Sequence, residues 1–253
     1  MKKCYLHIGN FKTGSTSLQK FFFINKDLLS SHNIEPIYEE NFFGKAINHE
    51  KLYKQFDTNN LNELNHFFSN INTEKNIILS SEYFSCFSKD IKKIKFLKET
   101  IEKFGFELIV IFYYRKDIDY LYSLYSEMLK HRKWTKIDNV FDFKKKVFNY
   151  GYYYLEKKSI NWYLNTYYFV NYKLVEEVWK SVFKNKFYSI EYNPDDNLKI
   201  FKDFINIIGT KDISNYKIPE KVNVRGKISP WKLKRIFNFI YLKFNTKKYF
   251  NLI

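Results

Sequence analysis

The chain has 253 residues, 45% of them hydrophobic, so it can bury a substantial core, which argues against global disorder. Its 43 basic and 27 acidic side chains give a formal net charge of +16, which favours an anionic partner: a nucleotide, an acidic glycan, nucleic acid or a membrane surface. Neither Cys4 nor Cys86 has a CxxC partner, which predicts buried, unreactive thiols in a reducing compartment. With no apolar signal segment and no apolar window of about 18 residues, the sequence predicts a cytoplasmic protein without a transmembrane helix.

The chain begins with a predicted strand, loop and helix. Residues 4–8 are a short apolar run that ends at Gly9, and residues 17–29 place apolar side chains near helical spacing. Strand, loop and helix in this order form the unit from which parallel sheets are built.

Further strands and helices alternate along the chain. The strongest strand covers residues 107–114 and is apolar throughout, as a central parallel strand should be. These features predict one α/β domain over residues 1–253, with a three-layer parallel sheet flanked by helices, a helical insertion and a basic C-terminal helix. The other predicted strands are residues 76–80 and 187–192, the predicted helices are 91–104, 118–131 and 196–208 (ending at Gly209), the insertion is 134–186 and the basic segment is 221–253.

The segment HIGNFKTGSTSLQ, residues 7–19, has the properties of an anion-binding loop. Backbone N–H groups at a helix N-terminus have no partner within the helix, and the helix dipole adds a favourable potential. Gly14 lets the backbone approach an anion closely, and hydroxyl and ammonium groups flank it. A Ser/Thr-rich helix cap without a ligand is the alternative interpretation. The polar side chains of this loop are Lys12, Thr13, Ser15, Thr16 and Ser17.

This loop differs from the P-loop pattern GxxxxGK[ST]. Gly9 and Gly14 have the required spacing, but no lysine follows Gly14, and Lys12 stands two residues before it. The difference disfavours triphosphate hydrolysis, and a P-loop kinase or other phosphotransferase stays open as an alternative.

The string HIGNFKTGSTSLQ resembles the 5′-phosphosulfate-binding loop of sulfotransferases that use 3′-phosphoadenosine-5′-phosphosulfate (PAPS), bacterial carbohydrate-type members above all. The resemblance implies a P-loop-like α/β fold, PAPS as donor, 3′-phosphoadenosine 5′-phosphate (PAP) as product, a carbohydrate or glycolipid hydroxyl as acceptor, and no metal. It further implies that Lys12 contacts the bridging oxygen of the donor. The 5′-phosphate would be wrapped by Thr13, Gly14, Ser15, Thr16 and Ser17.

A second motif, YYRKDIDYLYSLY, begins where the strongest strand ends. Arg115 lies at a strand end that should face the ligand crevice, and Ser123 follows eight residues later, about two helical turns down the next helix. An Arg and a Ser so placed can hold one phosphate, although alone they would be better interpreted as surface residues. The spacing is similar to the 3′-phosphate motif of the same family, with Asp117 in place of the usual Pro or Ala.

The acceptor hydroxyl must lose a proton, so a general base is expected. The favoured candidate is His49, in the segment after the first helix, and the second is Glu82 in SSEYF, directly after the second predicted strand. Glu39 and Glu40 are less favoured. The remaining histidines are predicted to be structural or exposed: His7, His32, His66 and His131.

The C-terminal segment is basic, with nine Lys or Arg and no acidic residue from position 221 onward. Its stretch VNVRGKIS resembles the loop by which the family closes over the nucleotide, which implies that Arg225 and Lys227 contact the 3′-phosphate. Residues 231–244 are predicted to form a basic amphipathic helix, for which packing on the domain is favoured over a position at the inner membrane face. The enzyme is not expected to bind nucleic acid, and the alternative is a non-enzymatic module that binds RNA or an anionic membrane.

Overall fold

The computed structural model describes residues 1–10, 12–38, 48–116, 141–142, 147–148, 172–196, 198–210 and 212–220. The chain divides into two compact units. The first comprises Met1–Lys116 and Tyr172–Val222, and the second comprises Asp117–Asn171 and Asn223–Ile253.

The first unit is built on a five-stranded sheet in the order β2-β3-β1-β4-β7, in which every neighbouring pair is parallel. The predicted α/β fold with a parallel sheet is therefore confirmed. After β1, the chain forms β2 and β3 on one side of β1 and then β4 and β7 on the other side. The winding of the sheet therefore changes direction at β1. The strands are β1 Lys2–His7, β2 Ile34–Pro36, β3 Asn76–Ser80, β4 Phe106–Tyr114 and β7 Phe187–Glu191.

Helices cover both faces of this sheet. Alternate side chains of β1 enter opposite layers because successive side chains of a strand point to opposite faces. Leu6 belongs to the buried cluster that contains Trp179, and Tyr5 belongs to the cluster that contains Phe22 and Phe204. The helices are α1 Ser15–Ile24, α2 Lys26–Ser31, α3 Glu50–Asp57, α4 Leu61–Ser69, α5 Ile91–Lys103, α6 Tyr172–Phe183 and α7 Lys199–Ile208, with 3₁₀ turns at Glu82–Lys89, Lys184–Lys186 and Ile213–Asn215.

The single helix predicted over residues 17–29 is two helices, α1 and α2, separated at Asn25. The Asn25 amide donates to the carbonyls of Phe21, at 2.9 Å, and Lys217, at 2.8 Å, and its Oδ1 accepts from Lys217 N at 2.8 Å. Asn25 thus satisfies backbone groups at the break and fastens α1 to a segment far away in sequence.

The described residues of the second unit form one antiparallel pair, β5 Phe141–Asp142 with β6 Val147–Phe148. These short strands lie in the stretch 134–186 that was predicted to be a helical insertion, and α6 of the first unit begins within the same stretch. The predicted helix over residues 118–131 and the basic C-terminal helix lie outside the described residues. No helix in the described part of the chain is long and apolar enough to cross a membrane.

Candidate anion-binding site

Four strand ends meet at one edge of the sheet, because all the strands run parallel. The loop of residues 8–14 follows β1, and Ser81 and Glu82 follow β3. Arg115 follows β4 and Tyr192 follows β7, so side chains from four separate parts of the chain gather at this edge.

The loop after β1 starts along β4 before it turns into α1. Ile8 N donates to Ile111 O at 2.9 Å, and Asn10 N donates to Tyr113 O at 2.8 Å. Since Tyr113 lies only two residues before Arg115, this pairing carries the loop toward the end of β4. The buried Thr13 hydroxyl donates to Asn10 O at 2.5 Å and closes the loop on itself.

The N-terminus of α1 has the features of an anion site. Its N-cap residue is Gly14, in the left-handed region with φ 82°, and no side chain caps the helix. The first turn contains no acidic residue that would compete with an anion. Ser15 is 5% exposed, and its hydroxyl has no hydrogen-bond partner among the described residues. A buried hydroxyl beside uncapped N–H groups can donate, together with those groups, to the oxygens of a phosphate.

Tyr192 links this loop to Arg115. A methyl group at Gly14 would lie 2.7 Å from Tyr192 Cε2, so the ring packs directly against the loop backbone. The Arg115 guanidinium carbon lies 5.0 Å from the centroid of the same ring, a cation–π arrangement. Tyr192 N donates to Tyr114 O at 2.7 Å, which holds the residue at the end of β4. The loop and Arg115 are therefore joined through one aromatic side chain.

Sequence reasoning missed Tyr192. Tyrosine is abundant in this chain, with 22 residues, so composition gives no pointer to any one of them. The signal that was available is its position directly after a strand of a parallel sheet, where ligand-facing residues occur.

Glu82 lies at the same edge and contacts α1. Its carboxylate accepts a hydrogen bond from Gln19 Nε2 at 3.2 Å. Burial raises the pKa of Glu82, and the Gln19 hydrogen bond opposes that shift. Since its side chain is only partly buried, Glu82 can still be approached from solvent.

His49 is fully buried at the start of α3. Its Nδ1 accepts from Ser80 N at 3.0 Å, so the neutral ring carries its proton on Nε2. Burial lowers the pKa of His49 to about 4. A ring in this tautomer, without solvent access, is poorly placed to take a proton from a substrate.

The structure brings the loop from Lys12 to Ser17, Arg115 and Glu82 to one edge of the sheet. Lys12 itself adopts a left-handed backbone, with φ 67°, at the turn into the helix. Three of the predicted phosphate contacts lie outside the described residues: Ser123, Arg225 and Lys227. Within the described residues, no group of three His, Cys, Asp or Glu side chains could hold a metal ion.

No model of a known protein family matches the chain, and no curated protein matches it in sequence. The solved structures that are similar to this chain include two at 13% identity. One is a sulfotransferase from Alicyclobacillus acidocaldarius, with a TM-score of 0.47, covering 95% of this chain and 92% of that one. The other is a de novo designed protein of P-loop NTPase fold, with a TM-score of 0.31, covering 85% of this chain and 96% of that one. Likenesses this distant leave the function to the chemistry of the site.

Proposed function

We propose that the protein is a sulfotransferase that moves the sulfuryl group of PAPS to a hydroxyl of a carbohydrate or glycolipid acceptor. The observation that supports this most is the uncapped N-terminus of α1, with the buried Ser15 hydroxyl, joined to Arg115 through Tyr192. Two anion-binding elements on one edge suit a donor that carries phosphates at two positions.

In the proposed reaction, the acceptor oxygen attacks sulfur while the bond from sulfur to the bridging oxygen of the 5′-phosphate breaks. Negative charge then builds on the departing PAP. Lys12 and the loop amides would stabilise that charge, the preorganised electrostatic help that usually dominates such transfers. The sulfuryl group goes to the acceptor, and PAP leaves with the electron pair of the broken bond.

The acceptor proton goes to a general base, for which we propose Glu82 in preference to His49. Glu82 is partly exposed, and burial raises its pKa, which makes the carboxylate a stronger base than an exposed one. It is also tied through Gln19 to the helix whose N-terminus forms the donor loop.

The 3′-phosphate lies far from the sulfur and supplies binding energy that positions the reacting group. Arg115, at the end of β4, would hold it. Arg115 is 8% exposed, and a guanidinium so buried can form strong charge-assisted hydrogen bonds with a phosphate.

The decisive measurement is ligand-induced thermal stabilisation by PAP, adenosine 5′-phosphate and ATP with magnesium. PAP should stabilise the wild type most. Arg115→Ala should weaken PAP binding by about 10-fold to 100-fold, the value of a lost charge-assisted hydrogen bond, and leave adenosine 5′-phosphate binding nearly unchanged. Lys116→Ala is the matched control, because that lysine forms an exposed ion pair with Glu191 at 3.2 Å.

The outcome separates the two enzyme classes. Stronger stabilisation by magnesium and ATP than by PAP would favour the phosphotransferase alternative. The donor-site assignment is wrong if PAP gives no stabilisation, or if Arg115→Ala leaves the PAP effect intact.

A further inference from the structure

His7 lies at the carboxyl end of β1, directly beneath the anion-binding loop. Its side chain is fully buried. The centroids of the His7 and Tyr113 rings are 5.6 Å apart, in an edge-to-face arrangement. His7 Nδ1 lies 2.8 Å from Ser80 Oγ on the neighbouring strand β3. Burial lowers the pKa of His7 to about 3, so the ring is neutral at neutral pH.

The second ring nitrogen points at the loop. His7 Nε2 has no hydrogen-bond partner among the described residues. A methyl group at Gly9 would lie 2.8 Å from this nitrogen and 2.9 Å from Thr13 Oγ1, so both atoms converge on the same point under the loop. Gly9 is required there, since any side chain would separate them.

A hydrogen-bond direction follows from the groups around Thr13. The Thr13 hydroxyl already donates to Asn10 O, so its oxygen is left to accept. With Ser80 Oγ–H donating to Nδ1, the neutral ring carries its proton on Nε2 and can donate to Thr13.

We propose that His7 is a positioning residue of the donor loop, which it holds in its anion-binding form through a hydrogen bond from Nε2 to Thr13 Oγ1. The bond would form fully when an anion draws the loop together, and Ser80 fixes the ring that donates it. The proposal rests on the proposed function, because PAP is the ligand whose binding reports on the loop.

The test compares two replacements of His7, each of which keeps one hydrogen-bonding position of the imidazole, by calorimetric titration of the full chain with PAP. His7→Gln keeps a hydrogen-bonding atom near Nε2, and His7→Asn keeps one near Nδ1. We expect His7→Gln to bind PAP within about threefold of wild type and His7→Asn to bind about tenfold more weakly, the loss expected for one hydrogen bond. His49→Gln is the matched control: it also loses a bond to Ser80, so its melting temperature should fall while its PAP affinity stays unchanged.

A second pair of variants keeps the test decisive if a His7 variant fails to fold. Thr13→Ser keeps the hydroxyl and should bind PAP normally, whereas Thr13→Val should weaken binding about tenfold. Adding His7→Asn to Thr13→Val should then cause little further loss, because the two residues share one interaction. Additive losses, equal binding by Thr13→Ser and Thr13→Val, or a His7→Asn variant that binds like wild type would overturn the proposal. Absence of PAP binding by the wild type would instead overturn the proposed function.

Discussion

Ser80 holds two buried imidazoles through different atoms. Its hydroxyl lies against His7 Nδ1 at 2.8 Å, and its backbone N–H donates to His49 Nδ1 at 3.0 Å. Both rings are fully buried, and burial lowers the pKa of His7 to about 3 and that of His49 to about 4. At neutral pH neither ring adds charge to the sheet edge.

This pair predicts that stability falls with acidification. In the unfolded chain a histidine takes up a proton near its ordinary pKa of about 6.5, whereas the folded chain keeps both rings neutral to a much lower pH. The unfolded state therefore binds more protons from about pH 6.5 downward. Each ring should lower the free energy of unfolding by about 1.4 kcal/mol per pH unit in that window. Urea unfolding at several values from about pH 7 to about pH 5 measures the slope.

The control for this prediction is the slope in His49→Gln rather than its absolute stability. Glutamine does not titrate, so the variant should lose about half of the pH dependence attributed to the two rings. An unchanged slope in that variant would show that His49 is solvated in the folded protein and that the burial described above is wrong.

At the scale of single elements, the start of α1 depends on Gly14. Its φ of 82° lies where other residues are strained, and a side chain would also meet Tyr192 at 2.7 Å and Ile200 at 3.0 Å. Gly209 ends α7 with a similar φ of 84° but has nothing within 4 Å of an added methyl group. A comparison of alanine substitutions at Gly14 and Gly209 therefore separates the cost of backbone strain from the cost of steric crowding.

We therefore expect Gly209→Ala to lower the free energy of unfolding by about 1–2 kcal/mol, the strain of the left-handed backbone. Gly14→Ala should lower it by at least about 1 kcal/mol more, since crowding adds to the strain. It should also weaken PAP binding at least about tenfold, because the added methyl group displaces Tyr192 or the loop. Urea unfolding and PAP titration of both variants provide the measurement. Equal destabilisation by the two changes would contradict the contact between Gly14 and Tyr192.

The elements that sequence predicted are those with a strong apolar run or an evident stop. The strand β4 and the helix ended by Gly209 belong to this group. The strand β2 was missed because three residues ending in Pro36 carry no alternation pattern. Helix α4 was missed although Asn60 caps it by accepting from Glu63 N at 3.3 Å, a local signal that sequence reasoning passed over.

The residues of the candidate site also divide into those that the sequence predicted and those that it did not. The loop and Arg115 were predicted as site residues because each follows an apolar strand and carries hydroxyl or cationic groups suited to an anion. Tyr192 and His7 lie close to loop residues that are distant from Tyr192 in sequence or not in regular spacing with His7. The position after β7 is the local signal for Tyr192, and no local pattern distinguishes His7 from a structural histidine. Only the parallel arrangement of β1, β4 and β7 brings them to the loop.

At the scale of the whole molecule, the positive charge and the anion site are distributed differently. The loop and Arg115 lie in the first unit, at the edge where the winding of the sheet changes direction. The C-terminal segment from position 221 onward carries nine basic and no acidic residues, and most of it falls in the second unit. The net charge of +16 therefore does not by itself identify where an anion binds.

The salt dependence of PAP affinity separates short-range from long-range electrostatic contributions. At about 150 mM salt, charges are screened beyond about 8 Å, so only groups close to a phosphate should contribute strongly to PAP affinity. The triple change Lys232→Gln, Lys234→Gln and Arg235→Gln tests the C-terminal segment: a long-range contribution changes PAP affinity by no more than about twofold under these conditions and weakens it only at low salt. Lys12→Ala should weaken PAP binding about tenfold or more at either salt concentration.

The same variants distinguish the enzyme from a basic binding module. A module that binds RNA or anionic vesicles through the C-terminal segment loses that binding in the triple variant and keeps it in Lys12→Ala. In the proposed enzyme, PAP binding is weakened by Lys12→Ala, because Lys12 lies beside the N-terminus of α1, which acts on an anion only within its first turn. Weakening of PAP binding by the triple variant at about 150 mM salt, to the same degree as by Lys12→Ala, would show that Lys232, Lys234 and Arg235 act on the donor at short range.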